Sequence, residues 1–204
     1  MSQNRALELS QITYDRDKLQ AYYEDTKPSL AECPYVNTYT GTMRRWYADI
    51  TAPVIAEIRS KFLPEIIENS SMVIFEQQPG FSFFPHIDYG RQVSIFYPIC
   101  PKDAGVCTTF YNNDIITKED WAQQKKFKGM SHSMIDSQDI MYTHHEEYVV
   151  YRHYYSTTSP TLCNISTAHG VKNDQRQRTY LQISIRDYSW DEFIELMKQE
   201  RFFA

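Results

Sequence analysis

The sequence predicts a mainly β chain, an antiparallel sandwich or barrel with helices packed on it. Two observations lead there. After residue 72 the apolar pattern leaves helical spacing for short runs rich in β-branched and aromatic residues. Turn signals, and no intervening helices, separate those runs, which favours antiparallel strands over βαβ units.

The first third reads as helical. Asp15 to Tyr23 is a short helix and Cys33 to Thr42 a loop. From Met43 to Ile67, Trp46, Ile50, Val54, Ile58 and Phe62 recur every four residues as one apolar stripe, with Arg44, Asp49, Glu57 and Lys61 off it. Pro53 starts a second helix or kinks the first, and Pro64 ends the pattern. The strand candidates are Met72–Gln78, Gln92–Ile99, Val106–Tyr111, Tyr148–Tyr155, Thr161–Ile165 and Thr179–Arg186. Pro79-Gly80, Pro101 to Gly105 and Lys172-Asn173-Asp174 mark turns between them. Ser189-Trp190-Asp191-Glu192 is a capping box, and Phe193, Leu196 and Met197 continue it as a closing helix over 189–202. With no repeat or linker, residues 1–204 read as one domain: a helical buttress over 1–70, a β core over 72–187 and the terminal helix.

Composition narrows the function. A hydrophobic share of 42% is globular, and the net charge of -5 implies no general attraction to nucleic acid or an anionic membrane. The run Lys125-Lys126-Phe127-Lys128 reads as a solvated loop or edge strand. Cys33, Cys100, Cys107 and Cys163 lack zinc-finger spacing. No apolar signal core or membrane-length run is visible, so a cytoplasmic protein with reduced thiols is the expectation. The sequons at Asn69 and Asn164 carry no weight in that setting.

Candidate chemistry centres on Pro85-His86-Ile87-Asp88, with His169 and Arg178 further along. A His-x-acid pair alone decides nothing, since chance gives roughly 0.8 matches and the chain has three: His86/Asp88, His144/Glu146 and His145/Glu147. In extended backbone, side chains two apart share a face and can converge on one ion. The first pair sits between a turn and a strong strand; His144 and His145 read as an exposed loop pair. His169 ends an extended run, Leu162 to Ala168, before a turn. Two imidazoles and one carboxylate can hold one face of an octahedral Fe(II) and leave three positions open. On the last strand, Arg178, Tyr180, Gln182 and Ser184 share a face opposite Thr179, Leu181, Ile183 and Ile185. A charge on that inner face needs an anion, which a bound carboxylate supplies. Arg176, read as a turn residue, and Arg186, at the far end of the strand, are its rivals.

These residues resemble the iron- and 2-oxoglutarate-dependent dioxygenases, within them the prolyl-hydroxylase-like branch. The likeness rests on Pro79, Gly80, Phe83, His86 and Asp88, then His169-Gly170-Val171 with a basic residue about ten positions on, and spans roughly residues 72 to 187. It implies a double-stranded β-helix (jelly-roll, cupin-like) with N-terminal helices and a C-terminal helix. It also implies Fe(II) held by His86, Asp88 and His169, 2-oxoglutarate chelating the metal with its far carboxylate on Arg178, and O₂ as co-substrate. The reaction implied is hydroxylation of a C–H bond, with release of succinate and CO₂. Where many relatives carry a tyrosine before Pro-Gly, this chain has Gln77 and Gln78; where collagen-type members use lysine, it has Arg178.

Tyr97 and Thr109 are further candidates for the co-substrate, with plain core as their alternative. Arg91 reads as a surface arginine, or as a grip for a substrate carboxylate. Asn112 to Asp136, long and polar, is a candidate lid. The implied substrate is a prolyl or other amino-acid residue, free or peptidyl, so the expected partner is a small molecule or short peptide. A non-catalytic cupin-like binding module and a zinc hydrolase on the same ligands are the alternatives.

Overall fold

The computed structural model describes residues 5–28, 36–38, 41–80, 82–88, 91–100, 107–112, 148–156, 158–172 and 177–199. The elements run β1 (Ala6–Glu8), α1 (Arg16–Thr26), β2 (Val36–Thr38), β3 (Gly41–Tyr47), α2 (Pro53–Arg59), α3 (Pro64–Ile67), β4 (Ser71–Gln77) and β5 (Ser82–His86). They continue with β6 (Val93–Cys100), β7 (Cys107–Tyr111), β8 (Val149–Tyr154), β9 (Thr161–Asn164), β10 (His169–Lys172), β11 (Arg178–Ile185) and α4 (Trp190–Lys198). A seven-stranded sheet has the order β1-β9-β6-β11-β4-β3-β2, a four-stranded one the order β5-β10-β7-β8, and their pairings are antiparallel. One cavity is lined by residues of both sheets, so the two face each other. This is the double-stranded β-helix, mainly β with flanking helices.

The larger sheet is two-sided by alternation. Val93, Ile95, Tyr97 and Ile99 of β6 and Leu181, Ile183 and Ile185 of β11 pack against the helices. There they meet Leu19 and Tyr23 of α1, Val54, Ile55 and Ile58 of α2, Ile66 and Ile67 of α3, and Trp190 and Phe193 of α4. The opposite face of the sheet carries Phe75 of β4, Phe96 of β6, and Arg178, Tyr180 and Gln182 of β11 into the cavity. A polar latch also docks α1. Tyr23 donates to Glu76 Oε2 at 2.6 Å, and Arg44 Nε donates to Glu76 Oε1 at 2.9 Å. Because Glu76 is fully buried, removing Arg44 leaves its charge without compensation, and removing Tyr23 costs it a hydrogen bond.

Local signals explain several boundaries. Asp15 caps α1 by accepting from the Lys18 amide, and the Ser189/Glu192 capping box opens α4 with both reciprocal bonds made. Pro53 and Pro64 stand in the first turns of α2 and α3, where a missing N–H costs nothing. Gly80, at φ +79°, makes the left-handed turn that sends β4 into β5.

Residues 1–70, expected as a helical buttress, also contribute β1, β2 and β3. Met43 to Tyr47 is strand, not helix: Trp46 pairs with Ile74 across the ladder, and Ile50, placed on the apolar stripe, is 52% exposed. Ladder pairing with β4 outweighed a fourfold spacing that coincides with helix period. Val36 to Thr38, inside the expected loop, is also strand. His169 opens β10 instead of ending a strand. The expected lid beyond Asn112, His144, His145, Arg176 and the run Lys125 to Lys128 lie outside the described residues.

Candidate metal centre

His86 is the last residue of β5 and His169 the first of β10, and the ladder pairs them directly. That register sets the two rings 4.3 Å apart between centroids. Asp88 lies just past β5, where its amide donates to the Ile165 carbonyl at 3.2 Å. His86 Nε2 lies 3.9 Å from Asp88 Oδ1, and His169 Nε2 lies 4.0 Å from Oδ2. One ligand atom from each residue falls within 4.8 Å of the other two. All three side chains are buried.

The donor chemistry fits a divalent ion. His169 Nδ1 donates to the Thr167 carbonyl at 2.9 Å, which leaves the Nε2 lone pair for a metal. Burial, then the His86 ring beside it, pushes the His169 imidazole down to about 4. It stays neutral at physiological pH, as a ligand must. Two nitrogens and one oxygen suit a non-heme iron site with open positions.

Around this triad the cavity is mostly apolar, with Phe75, Phe96, Phe110, Ile165 and Val171 in its wall. Arg178 enters from the start of β11, and its guanidinium carbon lies 4.1 Å from the Tyr155 ring centroid and 4.3 Å from that of Tyr180. Arg178 is 7% exposed, yet no carboxylate of the described residues pairs with it. Cation–π contact offsets part of the desolvation of that charge, and an anion in the cavity would complete it. Cys163 also lines the wall, and burial pushes its thiol up to about 12, so it stays protonated.

The cavity brings together His86, Asp88, His169 and Arg178, but not the other two candidates. Tyr97 is fully buried on the helix side of β6, packed edge-on against Tyr14. Its neighbour Phe96 faces the cavity instead. Thr109 likewise points away, and Thr108 takes the inward position beside Tyr155, with hydroxyls 2.6 Å apart. A strand exchanges its faces at each residue, and in both strands it is the preceding residue that lines the cavity. Arg91, read as a surface residue, is 9% exposed and lies in the cavity wall. Its proximity to Asp88 in sequence was the available signal. Tyr155 and Cys163 had no comparable one. Gln77 is on the cavity side of β4, donating to the Tyr180 hydroxyl at 3.2 Å, while Gln78 donates to Glu76.

No family model and no curated protein matches the sequence. Solved structures do. A prolyl-4-hydroxylase from Pseudomonas putida superposes with a TM-score of 0.53 at 11% identity, covering 91% of this chain and 94% of that one. HygX from Streptomyces hygroscopicus, solved with nickel and 2-oxoglutarate bound, gives 0.49 at 11% identity, over 92% and 85% of the two chains. A 2OG-Fe(II) oxygenase family protein from Burkholderia pseudomallei gives 0.46 at 9% identity, over 91% and 85%. At these identities the likeness is one of fold, and the prolyl-4-hydroxylase carries it.

Proposed function

We propose that this chain is a non-heme Fe(II)- and 2-oxoglutarate-dependent dioxygenase that hydroxylates a C–H bond of a prolyl or other amino-acid substrate, free or peptidyl, releasing succinate and CO₂. The observation that carries the proposal is the buried pairing of a His86/Asp88/His169 cluster with an arginine that lacks an acidic partner among the described residues, in one cavity. HygX is known with 2-oxoglutarate bound, and the same co-substrate is proposed here.

In this reading His86, Asp88 and His169 hold the iron and Arg178 binds the far carboxylate of 2-oxoglutarate. Iron, when bound, couples the oxidative decarboxylation of the keto acid by O₂ to hydroxylation of the substrate. The residues do the rest by placement. Arg178 offers a planar fork of N–H donors to the carboxylate, and the Tyr155 and Tyr180 rings beside it limit the directions that fork can take. The Thr167 carbonyl fixes the tautomer and ring orientation of His169. Phe75, Phe96, Phe110 and Val171 exclude water from the reactants. A zinc hydrolase on these ligands would need a general base, and Asp88 is the only carboxylate among the described residues of the cavity wall.

The test is succinate formation by the full chain supplied with Fe(II), 2-oxoglutarate and O₂. Slow turnover without substrate is expected, and faster turnover with the right member of a panel of amino acids and short peptides, read by mass. No iron-dependent succinate under any of these conditions would overturn the reading.

A further inference from the structure

The carboxylate ligand of the candidate metal centre has a cationic partner of its own. Arg91 Nη2 lies 3.1 Å from Asp88 Oδ1, with both side chains buried. The same guanidinium donates through Nη1 to the Ser184 hydroxyl at 2.9 Å. Ser184 belongs to a buried polar cluster on the two central strands of the larger sheet. Gln182 Nε2 donates to Ser94 Oγ at 2.9 Å and to Ser184 Oγ at 3.1 Å. Ser94 and Ser184 are also ladder partners between β6 and β11. Arg91 thus joins a rigid strand pair of one sheet to an acid that lies just beyond the last residue of a strand of the other.

That link matters because Asp88 is beyond the β5 ladder, whereas His86 and His169 are fixed by direct register. A carboxylate can bind a divalent ion through one oxygen or both. Binding through both would take a fourth coordination position, and only two would remain for a chelating keto acid and O₂ together. An arginine on Oδ1 engages that oxygen and fixes the orientation of the carboxylate, which favours the one-oxygen mode.

We propose that Arg91, anchored by Ser184, is a positioning residue that holds Asp88 as a one-oxygen metal ligand and so keeps three coordination positions open. This rests on the iron(II) reading of the site. It assigns Arg91 to the metal ligand and not to a substrate carboxylate.

The experiment is Mn(II) titration of the full chain by calorimetry, with heat unfolding of the metal-free protein as the control for folding. Solvent-proton relaxation of the Mn(II)-loaded protein counts bound waters. Arg91→Met is expected to weaken Mn(II) binding about 10- to 100-fold, as loss of an outer partner does, and to lower the water count. Ser184→Ala should weaken binding about two- to tenfold, the worth of one hydrogen bond. Arg91→Lys should fall between them, since it keeps the charge without the fork. Should Arg91→Met fail to fold, Ser184→Ala and Arg91→Lys decide alone. Native affinity and water count in the variants would overturn the proposal. Tighter binding in Arg91→Met would do so as well, because the repulsion of its charge would then outweigh its placement. A lowered unfolding temperature with unchanged affinity would reduce Arg91 to a structural role and overturn it too. If the native chain binds no Mn(II), the iron reading itself has failed, a result distinct from the rest.

Discussion

The two faces of β6 and β11 are built from alternate residues of the same chain segments and do opposite work. Toward the helices stand Ile95, Tyr97, Leu181 and Ile183, each fully buried in apolar surroundings. Toward the cavity stand Ser94, Phe96, Arg178, Tyr180 and Gln182, buried for the most part as well but largely polar. Similar burial therefore has two meanings here. On the helix side, burial removes apolar area from water and stabilises the fold at roughly 25 cal/mol per Å². On the cavity side it costs desolvation, which hydrogen bonds and ring contacts offset in part and a ligand would offset further. The cavity face draws on stability that the other face supplies.

Substitutions can break that partition, and the largest effect is expected at the metal. His86→Ala or Asp88→Ala should abolish 2-oxoglutarate turnover, a loss beyond the about 100-fold typical of outer partners. Unfolding of the metal-free protein separates the two variants: His86→Ala should leave it near native, whereas Asp88→Ala strips buried Arg91 of its carboxylate and should lower it. Succinate release and heat unfolding measure the two halves. Full activity in either variant would redirect the search to His144 or His145. Leu181→Ala, on the helix side, should do the reverse. A cavity among Ile74, Ile95 and Tyr97 costs about 2–5 kcal/mol of stability, read by denaturant unfolding, with 2-oxoglutarate affinity of the folded fraction unchanged.

Arg178→Met tests the cavity face at its most costly point. Charge-assisted hydrogen bonds contribute about 1.5–3 kcal/mol, so 2-oxoglutarate affinity should fall by roughly ten- to a hundredfold. The ligand-free protein should unfold at the same temperature or higher, because a buried charge has been exchanged for an apolar chain of similar length. Thermal shift with Mn(II), with and without 2-oxoglutarate, reads both signs. A destabilised ligand-free protein with unaltered 2-oxoglutarate response would place Arg178 with the structural residues.

How far the sequence could be read follows from the same alternation. On β11, apolar and polar residues interleave cleanly, so the opposite faces of Leu181 and Arg178 are legible from the residue pattern alone. On β6, Val93 to Cys100 is apolar on both faces except at Ser94, and the phenol of Tyr97 drew attention to the wrong one. β3 was misread because its residues join a fourfold apolar spacing only by coincidence, and its pairing with β4 is not written locally. β10 is four residues, His169 to Lys172, with no strand signal of its own; partners on both sides, β5 and β7, create it. The ligands were legible as a motif, while Arg91 and Tyr155 were not, since nothing nearby in sequence told of the strands that bury them.

The smallest effect, and the sharpest division of the two faces, is expected at Tyr97. Its hydroxyl is buried and makes no hydrogen bond to the described residues, and burial raises its pKa far above that of an ordinary phenol. Tyr97→Phe removes a polar atom already stripped of water while keeping the ring that meets Tyr14 edge-on at 5.1 Å. An unsatisfied buried donor costs about 1–3 kcal/mol, so the variant should equal or exceed the native protein in stability. A hydroxyl on the helix side cannot touch a ligand in the cavity, and affinity for 2-oxoglutarate should not move. Phe96→Ala, one residue away in the chain, should disturb it, because that ring meets both Tyr155 and Tyr180, which flank Arg178. If Tyr97→Phe weakened co-substrate binding and Phe96→Ala did not, the phase of β6 would be inverted and the division of the sheet into a stabilising and a binding face would fail with it.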